Sequence, residues 1–298
     1  MAGSSTGGSL IDDAKLKQLY ATMLRCRLLT EHARRLHRSK TLYDASLGQE
    51  AIAAGCAIDL RPQDTIALAS HDSIASLVKG VALSDVVAQM YARDSAAGWP
   101  AHNIISPSSS LSSDLSSGLS SGQGQLFQAA GKVALANKQE NHGNVVVVFT
   151  GVAATALDYW HQALRNAARR SLPVIFVVEN NPWAGAADAK ARNGIGNLPM
   201  KAQKDGLTSI TVDGNDVVAV YRVAYESLER VRRGGGAVLI EAKPYRQHGQ
   251  VLLNTERDPL THMERYLTAK KLFTARWKNG IVQQFSQELS AAVKELEG

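Results

Sequence analysis

Apolar residues recur along this chain with two different periods. Over residues 12–39 they fall at helical spacing, with Leu16, Leu19, Tyr20, Met23, Leu28 and Leu29 on one side and Arg and Lys between them. This predicts an amphipathic helix, followed by a turn over residues 39–46. Residues 49–58 are rich in small apolar side chains and predict a tightly packed, buried helix. Arg61-Pro62-Gln63-Asp64 reads as a loop and residues 65–69 as a short strand. Residues 73–93 read as helical segments broken near Gly80, with Ser84 and Asp85 as cap candidates. Helical spacing returns over residues 122–138, through Ala129, Ala130, Val133, Ala134 and Leu135.

Two runs, residues 145–150 and 174–179, are continuously apolar and rich in β-branched residues. Strands covered on both faces have that composition. The helical stretch at residues 157–170 joins them into a β-α-β unit. Residues 207–212 predict a further strand, Asp213-Gly214-Asn215-Asp216 a turn into a helix over 217–233, and residues 238–243 another strand. From Pro259 to Glu297 the pattern is helical and amphipathic. Strands alternating with helices predict an α/β fold, with a mostly parallel central sheet and helices on both faces. No internal repeat is visible. The expected organisation is a disordered lead over residues 1–11, rich in Gly and Ser, and a single domain over 12–298 with a helical C-terminal tail.

Composition narrows the class. The chain has 298 residues, 45% of them hydrophobic and 20% charged, as in ordinary globular proteins. Two cysteines, Cys26 and Cys56, cannot build a disulfide framework, so a reducing cytoplasm is the expected compartment. The first ten residues lack a basic region followed by an apolar core, and no secretory signal is expected. No uninterrupted apolar stretch is long enough for a membrane span. The net charge of +6 arises from 33 Lys and Arg against 27 Asp and Glu. Its clusters, Arg34-Arg35 with His37-Arg38, Arg169-Arg170 and Arg230 to Arg233, lie in helical segments without interleaved aromatics. They read as solvated helix faces and ends, not as a nucleic-acid surface. Ten of the 16 residues from Ser106 to Ser121 are Ser, which predicts a loop. His161, beside Trp160 in a helix, reads as partly buried packing.

Candidate chemistry concentrates between Val145 and Asn181. An apolar run ends in Thr150-Gly151, a helix-length stretch follows, and a second run ends in Asn180-Asn181. Between Ala153 and Asn180 lie 26 residues. The plan resembles the thiamin diphosphate and Mg²⁺ motif, Gly-Asp-Gly followed at that interval by Asn-Asn. Here Gly151-Val152-Ala153 stands in place of Gly-Asp-Gly. Further segments carry the same resemblance in the same order: Leu47-Gly48-Gln49-Glu50-Ala51, Leu60-Arg61-Pro62-Gln63-Asp64, Ser171-Leu172-Pro173-Val174-Ile175-Phe176-Val177, Asp213-Gly214-Asn215-Asp216-Val217, Leu239-Ile240-Glu241-Ala242 with Tyr245-Arg246, and Asp258-Pro259. From about Leu19 to Leu267 the chain resembles the alpha subunit of the thiamin diphosphate-dependent first component of 2-oxo acid dehydrogenase complexes, of the pyruvate and branched-chain type.

The resemblance implies a cofactor site and shows where this chain departs from it. It implies metal ligands at Val152, at Asn181 and at the main-chain carbonyl of Trp183, and a cofactor-binding set of Gly151, Val152, Ala153, Asn181, Trp183 and Gln123. Mg²⁺ is normally held through a carboxylate, and valine offers none. Asp158 lies too far into the following helix to replace it. Ser70-His71 stands where the family has Tyr-Arg, and imidazole does not reproduce a bidentate guanidinium. Gln250 stands where the family has a catalytic His, and Gln cannot titrate. His71, His102 and His248 are the remaining candidates for catalytic imidazoles. Gly122-Gln123-Gly124 is too short for a dinucleotide fingerprint.

Two readings follow. One is an alpha subunit that oxidatively decarboxylates a 2-oxo acid with thiamin diphosphate and magnesium, passing the acyl group to a lipoyl carrier. The resemblance then implies a beta-type partner subunit, or a homodimer, with the cofactor between subunits. The other is a non-catalytic homologue with impaired or lost cofactor binding, acting as scaffold, regulator or binder of another ligand. A different α/β enzyme using the crevice beyond Gly151 and Asn181 is a third reading, for which no Ser-His-Asp or metal triad is visible. Neither a nucleic-acid nor a membrane partner is expected.

Overall fold

Strand side chains alternate between two apolar clusters. Ile66, Val147, Phe149, Ile175, Val177, Val238 and Ile240 enter one. Ala67, Val146, Val148, Val174, Phe176, Val178 and Leu239 enter the other. An extended chain turns successive side chains to opposite faces, so runs apolar at every position need cover on both. The computed structural model describes residues 11–36, 47–68, 73–91, 104–105, 122–181, 197–245 and 253–297. Among these, β1 (Thr65–Leu68), β2 (Ile104–Ile105), β3 (Val146–Gly151), β4 (Val174–Glu179), β5 (Thr208–Asp213) and β6 (Val238–Lys243) form one sheet in the order β2-β1-β3-β4-β6-β5. Every neighbouring pair is parallel.

The helices are α1 (Asp13–Leu36), α2 (Glu50–Ala57), α3 (Ser73–Lys79), α4 (Leu83–Tyr91), α5 (Gly122–Glu140), α6 (Asp158–Arg169), α7 (Leu198–Lys204), α8 (Val217–Arg232), α9 (Pro259–Ala269) and α10 (Ala275–Glu297). Helices α1 to α4, α8 and α10 contribute to the first cluster; α5, α6 and α7 contribute to the second. A third cluster ties α1, α2, α8 and α9 together away from the sheet. The chain steps from β3 to β4 beneath α6 and from β4 to the far edge beneath α7. It returns from β5 to β6 under α8 on the opposite face. Reversing direction by changing face keeps each crossover right-handed.

The α/β class and parallel sheet are as the sequence predicts, and β4 and β6 have the predicted bounds. Differences are local. Strands β3 and β5 each begin one residue later than expected. Ser84 and Asp85 lie within the first turn of α4, which starts at Leu83. Helix α7, the two-residue edge strand β2 and a 3₁₀ turn at Val152–Ala156 were not anticipated. The tail divides into α9 and α10. Residues 106–121 and most of the N-terminal lead lie outside the described residues.

Two buried charged nodes fix the layers, one joining helices to each other and one joining a helix to the sheet. Arg27 of α1 donates through Nε to Glu50 Oε1 at 2.5 Å, and through Nη2 to Glu50 Oε2 at 3.1 Å and Asp258 Oδ1 at 2.8 Å. All three residues are buried. Burial alone pulls the guanidinium pKa down, but Glu50 and Asp258 more than offset this and the net shift is upward. Asp258 also caps α9, so one arginine joins α1, the start of α2 and the tail. At the amino end of the sheet, the fully buried Asp64 accepts from Val145 N at 2.9 Å and from Arg232 Nη2 at 2.7 Å. The basic run at Arg230 to Arg233 is therefore not wholly solvated, because Arg232 turns inward.

Helix α2 is buried at all eight positions and lies close against α8. A Cβ on Gly55 would stand 2.6 Å from Val220 Cγ1 and 2.9 Å from the Tyr221 nitrogen. The small-residue run of α2 is thus used within this chain. Two outcomes follow for urea denaturation. Arg27→Ala strands two buried carboxylates and should lower stability by about 3–5 kcal/mol, against under about 1 kcal/mol if the node were only a surface pair. Gly55→Ala should cost about 1–3 kcal/mol by overpacking, although alanine is the better helix former.

Candidate functional site

The connections from β1 and from β3 leave in opposite directions across the sheet, so a topological switch lies between their carboxyl ends. Open parallel sheets place ligands in the crevice at such a point. Gly151 ends β3 there and is exposed. Register pairs Gly151 with Glu179 at the end of β4, so Val152, Ala153 and Asn181 emerge from adjacent strand ends.

The chain does not pass straight from β3 into α6. Val152–Ala156 forms the 3₁₀ turn, closed by Thr155 Oγ1 donating to the Val152 carbonyl at 2.7 Å. Leu157 then serves as N-cap of α6, with extended backbone and no side-chain cap bond. Val152 is 2% exposed and belongs to the apolar cluster that holds Phe127, Trp160 and Phe176. It offers no side-chain oxygen. Asp158, in the first turn of α6, is exposed.

On the neighbouring strand the two asparagines differ in environment. Asn180 donates from its side chain to Glu241 Oε1 at 2.7 Å, and its backbone N–H bonds the Ala242 carbonyl at 2.9 Å. Glu241, 2% exposed, also accepts from Thr211 Oγ1 at 2.9 Å and pairs with Lys243 Nζ at 3.2 Å. Asn180 therefore braces β4 against β6 and β5. Asn181 is buried at 3% exposure, its N–H bonded to the Glu179 carbonyl at 2.9 Å. From the other side, α2 brings Cys56 into the field of Glu179. Burial first, and the Glu179 charge second, push this thiol's pKa well above its ordinary value. Cys56 is thus no nucleophile at neutral pH.

Gly151, Val152, Ala153 and Asn181 are brought together. Trp183, His71, His102, His248 and Gln250 lie outside the described residues, as does the side chain of Gln123. His161 is partly exposed, with Nδ1 3.5 Å from Asp205 Oδ2. Among the described residues no group of three or more His, Cys, Asp or Glu could hold a metal ion. Glu241 carries a signal in the sequence that no metal or catalytic motif marks: a lone carboxylate inside the apolar run of β6.

Comparison with known proteins decides the family. A model described as the dehydrogenase E1 component matches residues 20–297. The chain belongs to the dehydrogenase E1 component family. Among its relatives is the pyruvate dehydrogenase E1 component subunit alpha of Porphyra purpurea, 28% identical over 266 aligned positions that cover 83% of this chain and 77% of the relative. The same subunit of Staphylococcus epidermidis is 27% identical, covering 96% of this chain and 79% of the relative. A solved structure of a candidate thiamin diphosphate-dependent enzyme from Mycobacterium smegmatis aligns with a TM-score of 0.42 at 16% identity, over 66% of this chain and 31% of that one.

In this E1-family chain, the position after Gly151 is part of the core. Val152→Asp should place a carboxyl in an apolar cluster without a partner. Burial raises that group's folded pKa above its unfolded value, so its destabilisation is smallest at acid pH and grows as pH rises through the folded pKa. Urea denaturation should show a deficit of several kcal/mol at about pH 8 that shrinks towards about pH 5. A deficit independent of pH would place residue 152 in solvent.

Proposed function

We propose that this chain is an alpha-type subunit of a 2-oxo acid dehydrogenase first component whose own half of the Mg²⁺–thiamin diphosphate site is impaired or lost. One observation carries the reading. At the position where the resemblance requires a metal-binding carboxylate stands Val152, buried in the apolar cluster with its carbonyl already accepting from Thr155. Mg²⁺ needs near-octahedral oxygen ligation and usually a carboxylate. Asn181 is neutral and does not compensate. The residues present do not fit the group, and no catalytic step is assigned to them.

The sequence adds support, with Ser70-His71 in place of Tyr-Arg and Gln250 in place of the catalytic His. What the chain keeps is the parallel sheet, the β3–β4 strand ends and the helical layers. These suit a role in assembly with a beta-type subunit or a second copy of this chain. As scaffold or regulator it would need no lipoyl carrier; as an active subunit it would. The relatives' name points to a 2-oxo acid such as pyruvate as the substrate of an active assembly. No helix among the described residues is long and apolar enough to cross a membrane. With Cys26 and Cys56 both buried and outside any disulfide, a cytoplasmic location fits.

The test is titration calorimetry with thiamin diphosphate and Mg²⁺, on the chain alone and mixed with a beta-type subunit. The expected result is no saturable heat from the cofactor in either setting. Micromolar binding, on the order of −8 kcal/mol, overturns the reading and calls for another ligand near Val152.

A further inference from the structure

A groove runs between α5 and α6 on the face of the sheet opposite α8. Its volume is about 640 Å³. Small-molecule sites are typically about 300–1,000 Å³, mostly apolar, with a few polar groups that orient the ligand. Here Phe127, Leu172 and Phe176 supply apolar lining, and the cations are Lys132 of α5 and Arg170 at the end of α6. Among the described residues no Asp or Glu lines the groove. Among the described residues, neither the Lys132 ammonium nor the Arg170 guanidinium has an ion-pair partner. Lys138 donates to the Arg170 carbonyl and adds a third positive charge at that end.

Arg170 complements the negative end of the α6 dipole. Lys132 lies exposed in the middle of α5, on the rim of the groove. Gly131, beside it, costs about 1 kcal/mol of helix stability relative to Ala. A Cβ built there would meet nothing within 4 Å, so the residue leaves open space along the groove. The groove reaches Leu172 and Val174 at the amino end of β4, whereas Asn181 follows the carboxyl end of that strand.

We propose that this groove binds a small amphipathic anion, an acyl or aryl carboxylate. Its apolar body lies on Phe127, Leu172 and Phe176, and its carboxylate meets Lys132 and Arg170. The complementarity is of charge as well as shape: two cations and an apolar floor, with no anion among the described lining residues, select against neutral and cationic compounds of the same length. The groove also passes Gly124 and Tyr159 near the amino ends of α5 and α6, but its cation at Arg170 lies at the opposite end, by the amino end of β4.

Trp160 gives the readout. Its ring lies 5.3 Å from Phe127 and 5.4 Å from Phe176, centroid to centroid, both edge-on. The full chain is titrated with octanoate, octanol and octylamine, following tryptophan fluorescence and the thermal midpoint. Octanoate should bind saturably and at least about tenfold more tightly than the other two. The double variant Lys132→Glu with Arg170→Glu should weaken octanoate at least about tenfold. Gly131→Leu, which fills the open space, should abolish the saturable signal. If Gly131→Leu does not fold, the surface charge pair still decides. The proposal is overturned by equal binding of octanoate and octylamine, by no saturable octanoate binding, or by octanoate binding unchanged in a folded Gly131→Leu. It is also overturned if Gly131→Leu breaks an oligomer while octanoate has no effect on the parent chain, since the groove is then filled by protein. A negative result leaves the calorimetry with Mg²⁺ and thiamin diphosphate unaffected.

Discussion

The sheet can exist only if both of its faces are covered, and the other features of the molecule follow from that. Residues of β3 and β4 alternate between two apolar clusters without a polar interruption until the strand ends. Exposing either face would strand apolar side chains worth about 1.5–3 kcal/mol each when buried. Helices on one face alone could not satisfy the pattern. The chain therefore carries α5, α6 and α7 across one face and returns under α8 on the other. The edges are treated differently: β2 has two residues, and β5 is only partly buried.

Apolar cover is non-directional, so it does not by itself fix where the helices sit. The charged nodes do. Arg27 forms bonds to Glu50 and Asp258, which lie on separate elements, and Asp64 bonds both the start of β3 and the end of α8. Buried ionic groups gain little net stability once desolvation is counted, but removing one partner is expensive. Their geometry thus excludes alternative packings more strongly than it stabilises this one. Gly55 acts in the same sense sterically, because only a residue without a Cβ lets α2 approach α8 so closely.

The same constraint shapes the strand-end crevice. After Gly151 the chain makes a 3₁₀ turn instead of entering α6 directly, and Val152 drops into the apolar layer. Asn180, on the next strand, is held by Glu241 within the sheet's own hydrogen bonding. Side chains at these positions serve the fold. A carboxylate at residue 152 would face a low-dielectric environment, where an unpaired charge is costly. The topology that usually hosts a ligand is present, while Val152 after β3 and Asn180 after β4 are committed to packing and bracing. A family's scaffold does not by itself carry the family's chemistry.

Much of this was legible in the sequence. Helical and strand periods, the doubly covered runs at β3 and β4 and the turn at Asp213 to Asp216 are local signals, and they determined the elements and the parallel α/β class, while short motifs in a fixed order carried the family resemblance. The two apolar runs joined by a helix-length stretch located Gly151 and Asn181 on neighbouring strand ends. Other features required the tertiary structure. These were the insertion of β6 between β4 and β5, the inward turn of Arg232 from a run that looked solvated, and the role of Asn180 as a brace to Glu241. The burial of Val152 and the groove between α5 and α6 belong with them. The physical reason is separation along the chain. Arg27 meets Asp258 across 231 residues and Asn180 meets Glu241 across 61. No local period encodes such contacts; they arise only when the layers close on the sheet.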